Sequence, residues 1–219
     1  MKEPNSQKRT HRPFVIAVTG GAASGKSAVS RHLAALGAFF IDLDELSREA
    51  VLPGSPVLAE IVDTFGPDIV TPDGTLNRRK LRDIITRNRG TRQQLEAVIH
   101  PEIFRLMNLH INTAAARGQK LIVVEVPLLY ETGKQALFDA VVMVSADREL
   151  RIQRLVDRDG VSRDQAQALL DAQMDDAEKI CRSPYVLYNN DSHERLLQEV
   201  EKLYRALEQR SAGKKTKTA

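Results

Sequence analysis

Five short runs of apolar residues stand out along the chain, separated by longer stretches in which apolar residues recur every three to four positions. Continuous apolar runs of this length are typical of strands buried on both faces, and their alternation with helical patterns favours a parallel sheet. The runs are FVIAV (14–18), AFFID (38–42), LIVVEV (121–126), AVVMV (140–144) and YVLYN (185–189). The pattern therefore predicts an α/β fold with a five-stranded parallel sheet covered by helices.

Several motifs predict where helices begin, because they combine a side chain that accepts backbone N–H groups with a following helical pattern. Two of them have the spacing of a capping box. The motifs are Ser55-Pro56, Asn77, Thr91-x-x-Gln94 and Ser162-x-x-Gln165.

The connection between the second and third predicted strands is unusually long. Residues 50–119 lie there with a helical pattern throughout, whereas a plain crossover needs only about a dozen residues. We therefore expect a small helical subdomain, and such insertions commonly shape a ligand crevice. Within it, His100 precedes Pro101 at an apparent helix start. That position is typical of a cap or packing residue, and we also consider His100 as a substrate contact.

The segment GGAASGKS (20–27), here called the phosphate loop, follows the first strand and precedes a helical pattern. It fits the pattern G-x-x-x-x-G-K-[ST], in which backbone N–H groups and the helix N-terminus surround phosphate oxygens. Lys26 would reach the β and γ phosphates, and Ser27 would offer its hydroxyl to Mg²⁺. The alternative is a glycine-rich turn without a ligand. The candidate nucleotide-binding residues are Gly20, Gly21, Ala22, Ala23, Ser24, Gly25, Lys26, Ser27 and Ala28.

Carboxylates follow the second and third strands. Residues two apart on an extended strand face the same way, so Asp42 and Asp44 are expected to point together near the phosphate loop. One could accept a proton from an attacking hydroxyl or help to hold Mg²⁺; the alternative is that Asp44 caps the next helix. Glu125 lies in an apolar run, where an unpaired charge is costly. It is a candidate metal residue acting through water, as is Glu131.

An arginine-rich stretch follows the fourth strand. Arg151, Arg154 and Arg158 are spaced three and four apart, so they share one helix face. We interpret 147–182 as a lid that brings guanidinium groups onto a transferring phosphoryl group. The alternative is a solvated face paired with nearby acids. In the next helix Gln173 falls on the apolar side, which indicates a ligand contact or a buried hydrogen bond.

Composition narrows the function classes. The net charge of +3 and pI near 9.0 suit acidic small molecules, while 5% aromatic residues and no tryptophan argue against a nucleic-acid groove. The one cysteine, Cys181, cannot form an intrachain disulfide. No apolar stretch approaches the ~20 residues of a membrane span, and the polar N-terminus lacks a signal-peptide pattern. We therefore expect a cytoplasmic protein without membrane partners.

Seven motifs occur in the order seen in dephospho-coenzyme A kinases, and over roughly residues 14–205 the chain resembles that family. They are VTGGAASGKSAV, IDLDELSREAV, DGTLNRRKLRDII, LEAVIHPEI, VEVPLLYE, RLVDRDGVS and YVLYNND. The resemblance implies a three-layer P-loop kinase core, a helical coenzyme-binding domain and a lid. It also implies transfer of the ATP γ-phosphoryl group to the ribose 3′-hydroxyl of dephospho-CoA, the last step of coenzyme A synthesis, with Mg²⁺.

The resemblance also implies roles for particular residues. Asp44 would be the catalytic base, and Lys26 and the lid arginines would bind phosphates. From the residues themselves, Asp42 and Asp44 are both candidate substrate contacts. Arg154 and Arg158 rank above Arg151, because the family usually has glutamine at position 151. Other departures concern adenine contacts: Leu43 for alanine, Ser183-Pro184 for Ala-Asp, and Asp191 for glycine.

The predicted organisation has a core in three parts, one insertion, one lid and two disordered tails. The core comprises 14–49, 120–146 and 183–209, the insertion 50–119, the lid 147–182 and the tails 1–13 and 210–219. We expect a monomer, although the sequence leaves an oligomer open. The alternative function is another P-loop small-molecule or nucleotide kinase. A GTP-binding switch would need an N-K-x-D segment, which YNNDS does not supply.

Overall fold

The structure, a computed structural model, describes residues 12–213. Most of the two predicted tails, residues 1–11 and 214–219, therefore lies outside the described residues. The last helix continues to Gly213, past position 210 where we expected a disordered tail to begin. Ser211 explains part of this extension, since it is buried and its hydroxyl donates to the carbonyl of Glu208 at 2.7 Å.

A five-stranded sheet confirms the predicted fold class. Its strands run in the spatial order β2-β3-β1-β4-β5, and β1 pairs in parallel with both β3 and β4, as β4 does with β5. The strands are β1 (Phe14–Gly20), β2 (Phe39–Asp42), β3 (Leu121–Glu125), β4 (Ala140–Ser145) and β5 (Tyr185–Tyr188). All five predicted apolar runs are therefore strands.

Helices fill most of the remaining described chain. They are α1 (Lys26–Ala35), α2 (Leu43–Glu49), α3 (Pro56–Phe65), α4 (Arg78–Arg87), α5 (Arg89–Ala116), α6 (Arg148–Asp159), α7 (Arg163–Asp171), α8 (Asp176–Cys181) and α9 (His193–Gly213). Short 3-10 turns occur at Pro67–Ile69 and Gln135–Leu137.

Three of the predicted helix starts are confirmed. Ser55 caps α3 and Asn77 caps α4, each accepting the backbone N–H three residues on, at 3.1 and 3.0 Å. Ser162 and Gln165 form the predicted capping box at α7, with reciprocal distances of 3.2 and 2.9 Å. Local capping chemistry was sufficient to place these three helices.

The predicted starts at Thr91 and at His100-Pro101 are wrong, because both lie inside α5. Asn88 does the capping at that end: its side chain accepts from the N–H groups of Gly90 at 2.8 Å and Thr91 at 3.3 Å. Pro101 has no N–H for the preceding turn, yet the helix continues through it. Burial of apolar side chains on both sides of the proline overrides the local signal.

The described chain divides into two compact units. The first combines 12–41 with 111–213, and it holds the central strands, α1 and α6 to α9. The second is Asp42–His110, which starts and ends somewhat earlier than the predicted insertion 50–119. Its buried apolar residues include Leu46, Val57, Leu58, Ile61, Ile69, Leu81, Leu95, Ile103, Leu106 and Met107.

Alternate residues of the central strands build the main core of the first unit. Ile16 and Val18 of β1 face one side, together with Val123 of β3, and all three are fully buried. Leu33 of α1 and Leu207 of α9 cover that face. Because successive strand residues point to opposite faces, the uninterrupted apolar runs show that both faces of the sheet are covered.

The parallel register brings the carboxyl ends of four strands to one edge. Val18 is opposite Glu125, Gly20 is opposite Val144, and Ser145 is opposite Tyr188. Segments that leave β1, β3, β4 and β5 therefore start side by side, although they are far apart in sequence. This edge carries the phosphate loop.

A buried ion pair fastens α8 to the segment that follows β3. Lys179 is 1% exposed, and its Nζ lies 2.6 Å from Glu131 Oε1. Nearby, the hydroxyls of Tyr130 and Ser183 are hydrogen-bonded at 2.5 Å, and the Arg182 guanidinium stacks 4.9 Å from the Tyr130 ring centre.

We predict that Glu131→Ala lowers the free energy of unfolding by about 3 kcal/mol or more, because it leaves the ammonium of Lys179, which is 1% exposed, without its carboxylate partner. The matched control is Glu199→Ala, whose pair with Lys202 has a similar 2.7 Å distance but lies in solvent. An exposed pair contributes about 0–1 kcal/mol. Urea unfolding of both variants provides the measurement, and equal losses would contradict the prediction.

Candidate active site

Glycines shape the phosphate loop between β1 and α1. Gly25 takes the N-cap position of α1 with a φ of 103°, a left-handed conformation that side chains rarely adopt. A Cβ atom there would also lie 2.2 Å from Asn189 Nδ2. Ala23 has a φ of 58°, which is uncommon outside glycine and indicates a backbone held by its surroundings.

Lys26 holds the first part of the loop. Its ammonium donates to the carbonyl oxygens of Gly20 at 3.0 Å and Gly21 at 2.9 Å. The lysine thus lies along its own loop, at the position where the sequence predicts a contact with phosphates.

Donors from α6 and from the end of β5 hold the next three carbonyl oxygens of the loop. The contacts are Arg151 Nε to Ala22 at 2.9 Å, Arg154 Nη1 to Ala23 at 3.3 Å, and Asn189 Nδ2 to Ser24 at 2.8 Å. Carbonyl oxygens repel an anion, so five successive carbonyls held by protein donors favour anion binding by the loop.

Asn189 is a residue that sequence reasoning missed. It is 9% exposed, and its own N–H donates to the carbonyl of Ser145 at 2.8 Å. Its carbonyl in turn accepts from Arg154 Nη2 at 3.0 Å. The only sequence signal for Asn189 is its place in the run YNND. Nothing in that run indicates that Asn189 reaches a loop 165 residues earlier.

Gln173 forms a hydrogen bond with the backbone of the phosphate loop. Its Oε1 accepts from the N–H of Ala22 at 3.0 Å and from Arg151 Nη2 at 3.2 Å. The sequence left this alternative open beside a ligand contact, and the role of Gln173 toward substrate stays a prediction.

Apolar side chains of α6 and α7 also pack on the phosphate loop. Ile152, Leu155, Ala166 and Leu170 form a small buried cluster, and Ala22 and Ala23 pack against it. The segment predicted as a lid is therefore fastened to the loop along this face. Of its arginines, Arg151 is buried and Arg154 is partly buried.

Arg158 is not brought to the phosphate loop in this structure. Its side chain is 66% exposed, and its guanidinium binds the Asp159 carboxylate at 2.7 and 2.8 Å. The hydrogen bond from Arg158 lowers the pKa of Asp159 below its ordinary value. Arg151, which the sequence ranks lower, makes the closer contacts with the loop.

A hydroxyl and a carboxylate lie together beside the loop. Ser27 Oγ donates to Glu125 Oε1 at 2.8 Å, and Glu125 is 6% exposed. The other carboxylate oxygen, Oε2, is buried without a hydrogen-bond partner. Hard oxygen donors and an unpaired buried carboxylate oxygen fit a divalent cation such as Mg²⁺.

Glu131, the other carboxylate considered as a metal residue, forms an ion pair with Lys179. Within residues 12–213 no group of three or more His, Cys, Asp and Glu side chains could hold a metal ion. A cation beside Ser27 and Glu125 would therefore need most of its ligands from phosphate oxygens or water, as is usual for Mg²⁺.

Asp42 and Asp44 do not alternate on a strand as we expected. The strand ends at Asp42, and α2 begins at Leu43. Asp42 is the N-cap and accepts from the N–H of Asp44 at 2.8 Å, so the expectation that Asp44 caps the helix is wrong. Asp44 lies exposed in the first turn of α2.

His100 is partly buried in the middle of α5. Its ring lies 6.2 Å from that of Phe104 in an edge-on arrangement. This contact is that of a packing residue, and its predicted contact with substrate stays a prediction.

A cleft of about 510 Å³ opens beside Arg151 and Gln173. Its acidic lining residues outnumber its arginines; they are Asp147, Asp171, Asp175 and Asp176. Like charges repel a polyphosphate, so we expect phosphates on the loop itself rather than in this cleft.

None of the described helices is long and apolar enough to cross a membrane.

Comparison with known proteins identifies the family to which the chain belongs. A family model described as CoaE, dephospho-CoA kinase, matches residues 14–195. The dephospho-CoA kinase of Anaeromyxobacter dehalogenans is 42% identical over 189 residues, covering 86% of this chain and 90% of the relative. That of Geobacter sulfurreducens is 42% identical over 190 residues, covering 87% and 96%.

Solved structures share the fold. The crystal structure of TT1252 from Thermus thermophilus has a TM-score of 0.79 and 33% identity, covering 90% of this chain and 98% of that one. The dephospho-CoA kinase from Campylobacter jejuni has a TM-score of 0.68 and 24% identity, covering 89% and 97%. Since the family model spans most of the chain and relatives at 42% identity cover nearly all of it, the chain belongs to the dephospho-CoA kinase family.

Proposed function

We propose that this chain transfers the γ-phosphoryl group of ATP to the ribose 3′-hydroxyl of dephospho-CoA and so forms coenzyme A. The bond between the γ-phosphorus and the bridging oxygen breaks, ADP leaves, and a new bond forms to the 3′-oxygen. The observation that carries the proposal is the phosphate loop, whose carbonyl oxygens at positions 20–24 all accept protein donors. Dephospho-CoA is proposed as the acceptor because the chain belongs to the dephospho-CoA kinase family.

The loop and its lysine bind the phosphates of ATP. Phosphoryl transfer involves little covalent chemistry by the protein, so positioning and charge stabilisation provide most of the catalysis. Lys26, whose ammonium lies at the carbonyl oxygens of Gly20 and Gly21, contacts the β and γ phosphates as a point charge. Arg154, whose guanidinium lies at the carbonyl of Ala23, is a lid arginine that stabilises the same charge.

Ser27 and Glu125 would hold Mg²⁺, Ser27 through its hydroxyl and Glu125 through water or its unpaired oxygen. The cation neutralises phosphate charge when it is bound. Ser27 follows Lys26 directly at the start of α1, so one turn of helix presents both side chains.

Asp44 accepts the proton of the ribose hydroxyl. Its exposure leaves the carboxylate accessible to substrate, and Asp42 fixes the start of α2 through the Asp44 N–H. We propose that the second compact unit, with His100, contacts the coenzyme. We also propose that the enzyme acts in the cytoplasm as a monomer.

The alternative is another P-loop small-molecule or nucleotide kinase. A coupled assay that detects ADP separates the two, with dephospho-CoA, AMP and adenosine compared as acceptors. Turnover with dephospho-CoA at least about 100-fold above the other two is the expected result, because correct orientation of a bound acceptor contributes that much or more. A preference for AMP or adenosine would favour the alternative.

We predict that Lys26→Ala lowers turnover by at least about 100-fold, the scale of losing one strong electrostatic contact in the transition state. Lys202→Ala, which removes an exposed lysine from α9, is the control and should retain activity. Both variants are compared by steady-state kinetics after their melting curves show a folded protein. Near-normal turnover of folded Lys26→Ala would contradict the assignment of the phosphate loop.

We predict that Asp44→Asn keeps its fold and ATP affinity but loses about 100-fold or more in turnover, the usual scale of general-base catalysis. Asn is nearly isosteric with Asp but cannot accept the proton. The matched control is Asp42→Asn, which preserves an N-cap and should be milder. An inactive Asp42→Asn with a normal Asp44→Asn would identify the other carboxylate as the base.

The lid hypothesis makes a separate prediction. If Arg158 leaves Asp159 and joins Arg154 on ATP, a non-hydrolysable ATP analogue should slow hydrogen exchange within 147–182. The slowing should be largest at the end of α6, where Arg158 is exposed. Peptides from α9 are the internal control. Equal exchange with and without the analogue would support the alternative of a solvated face.

A further inference from the structure

Arg151 is a buried charge that binds one residue of the phosphate loop, Ala22, both directly and through Gln173. The side chain is 7% exposed. Its Nε donates to the carbonyl of Ala22 at 2.9 Å, and its Nη2 donates to Gln173 at 3.2 Å. Its Nη1 pairs with Asp176 at 2.6 Å. A guanidinium fixed at all three of its nitrogens is held in a single orientation.

Gln173 completes the arrangement from the opposite side. Its Oε1 accepts the N–H of Ala22 at 3.0 Å while it accepts Arg151 Nη2. The N–H and the C=O of Ala22 are therefore both bound, one by each of two side chains that also bind each other. This fixes the position of the Ala22 backbone on the side of the loop that faces α6 and α7.

Gly21 lies directly beneath the guanidinium. A Cβ atom at position 21 would lie 2.0 Å from Arg151 Nη2 and 2.5 Å from its Cζ. The backbone of Gly21 is outside the left-handed region, unlike that of Gly25. The obstruction to a side chain at position 21 is therefore the Arg151 guanidinium and not backbone strain.

A methyl group at position 21 would fit only if the guanidinium moved. The end of an arginine side chain usually moves at little cost, but this one would have to give up Ala22, Gln173 and Asp176. A glycine in such a loop is ordinarily explained by close approach of phosphate to the backbone. The geometry supports a second explanation for this particular glycine.

We propose that Arg151 is a positioning residue for the phosphate loop, and that its guanidinium, rather than bound phosphate, makes glycine necessary at position 21. The kinetic test of this proposal measures kcat/KM for ATP and therefore rests on the proposed function. Arg151 acts through Ala22, and Asp176 balances its buried charge.

A double-mutant cycle on the full chain tests the proposal, using Gly21→Ala, Arg151→Gln and their combination. We expect each single variant to lower kcat/KM for ATP by about 10- to 100-fold, the scale on which small misplacements act. We expect the double variant to be no worse than Arg151→Gln alone, because the obstruction has been removed. The KM for dephospho-CoA should be unchanged in all three, which a general loss of structure would not produce.

Arg148→Gln is the matched control. Arg148 lies on the same helix but is half exposed and pairs with Asp171 at 2.7 Å, so kcat/KM should be unchanged. Arg151→Gln leaves Asp176 without its partner and could fold poorly. The cycle is therefore repeated with Asp176→Asn added to Arg151→Gln, so that both members of the buried ion pair lose their charge.

Two outcomes would overturn the proposal. In the first, the effects of Gly21→Ala and Arg151→Gln multiply, so that glycine is needed for a reason independent of Arg151. In the second, Arg151→Gln leaves kcat/KM for ATP unchanged. The same double-mutant cycle is also measured as the dissociation constant of a non-hydrolysable ATP analogue. Calorimetric titration gives this constant without an acceptor. If the unsubstituted enzyme binds the analogue but does not phosphorylate dephospho-CoA, the proposed function fails while the cycle still tests Arg151.

Discussion

Binding a polyphosphate on backbone N–H groups requires that the carbonyl oxygens of the same loop be held away from the anion. In this protein five successive carbonyls, from Gly20 to Ser24, accept donors from Lys26, α6 and the residue after β5. The unusual φ of Ala23 shows how strongly those surroundings determine the backbone. The rest of the described site depends on this arrangement.

The parallel sheet makes the arrangement possible. Its register places the ends of β1, β3, β4 and β5 at one edge, so short side chains reach the loop from remote parts of the sequence. Asn189 reaches it from β5, and Glu125 reaches Ser27 from β3. An antiparallel arrangement would distribute these ends between two edges, and one loop could not collect them all.

Burial decides which charges have a structural effect. Arg151 and Lys179 are almost fully buried, and each has a carboxylate partner at 2.6 Å. Arg158 has an equally close partner but lies in solvent, where water and salt weaken the pair. Charge and helical spacing do not separate Arg151 from Arg158, and Arg151 ranks lower from the sequence because the resemblance implies glutamine at that position. The structure nevertheless brings Arg151 closer to the loop.

The sequence by itself determined the features that depend on neighbouring residues. These are the five strands, the caps at Ser55, Asn77 and Ser162, and the phosphate-loop motif with its family resemblance. Tertiary structure alone decided the remainder. It carried α5 through Pro101 and brought Asn189 to Ser24. It also buried Arg151 over Gly21. Capping and periodicity act within one or two turns of chain, whereas burial and long-range hydrogen bonds depend on which segments the sheet brings together.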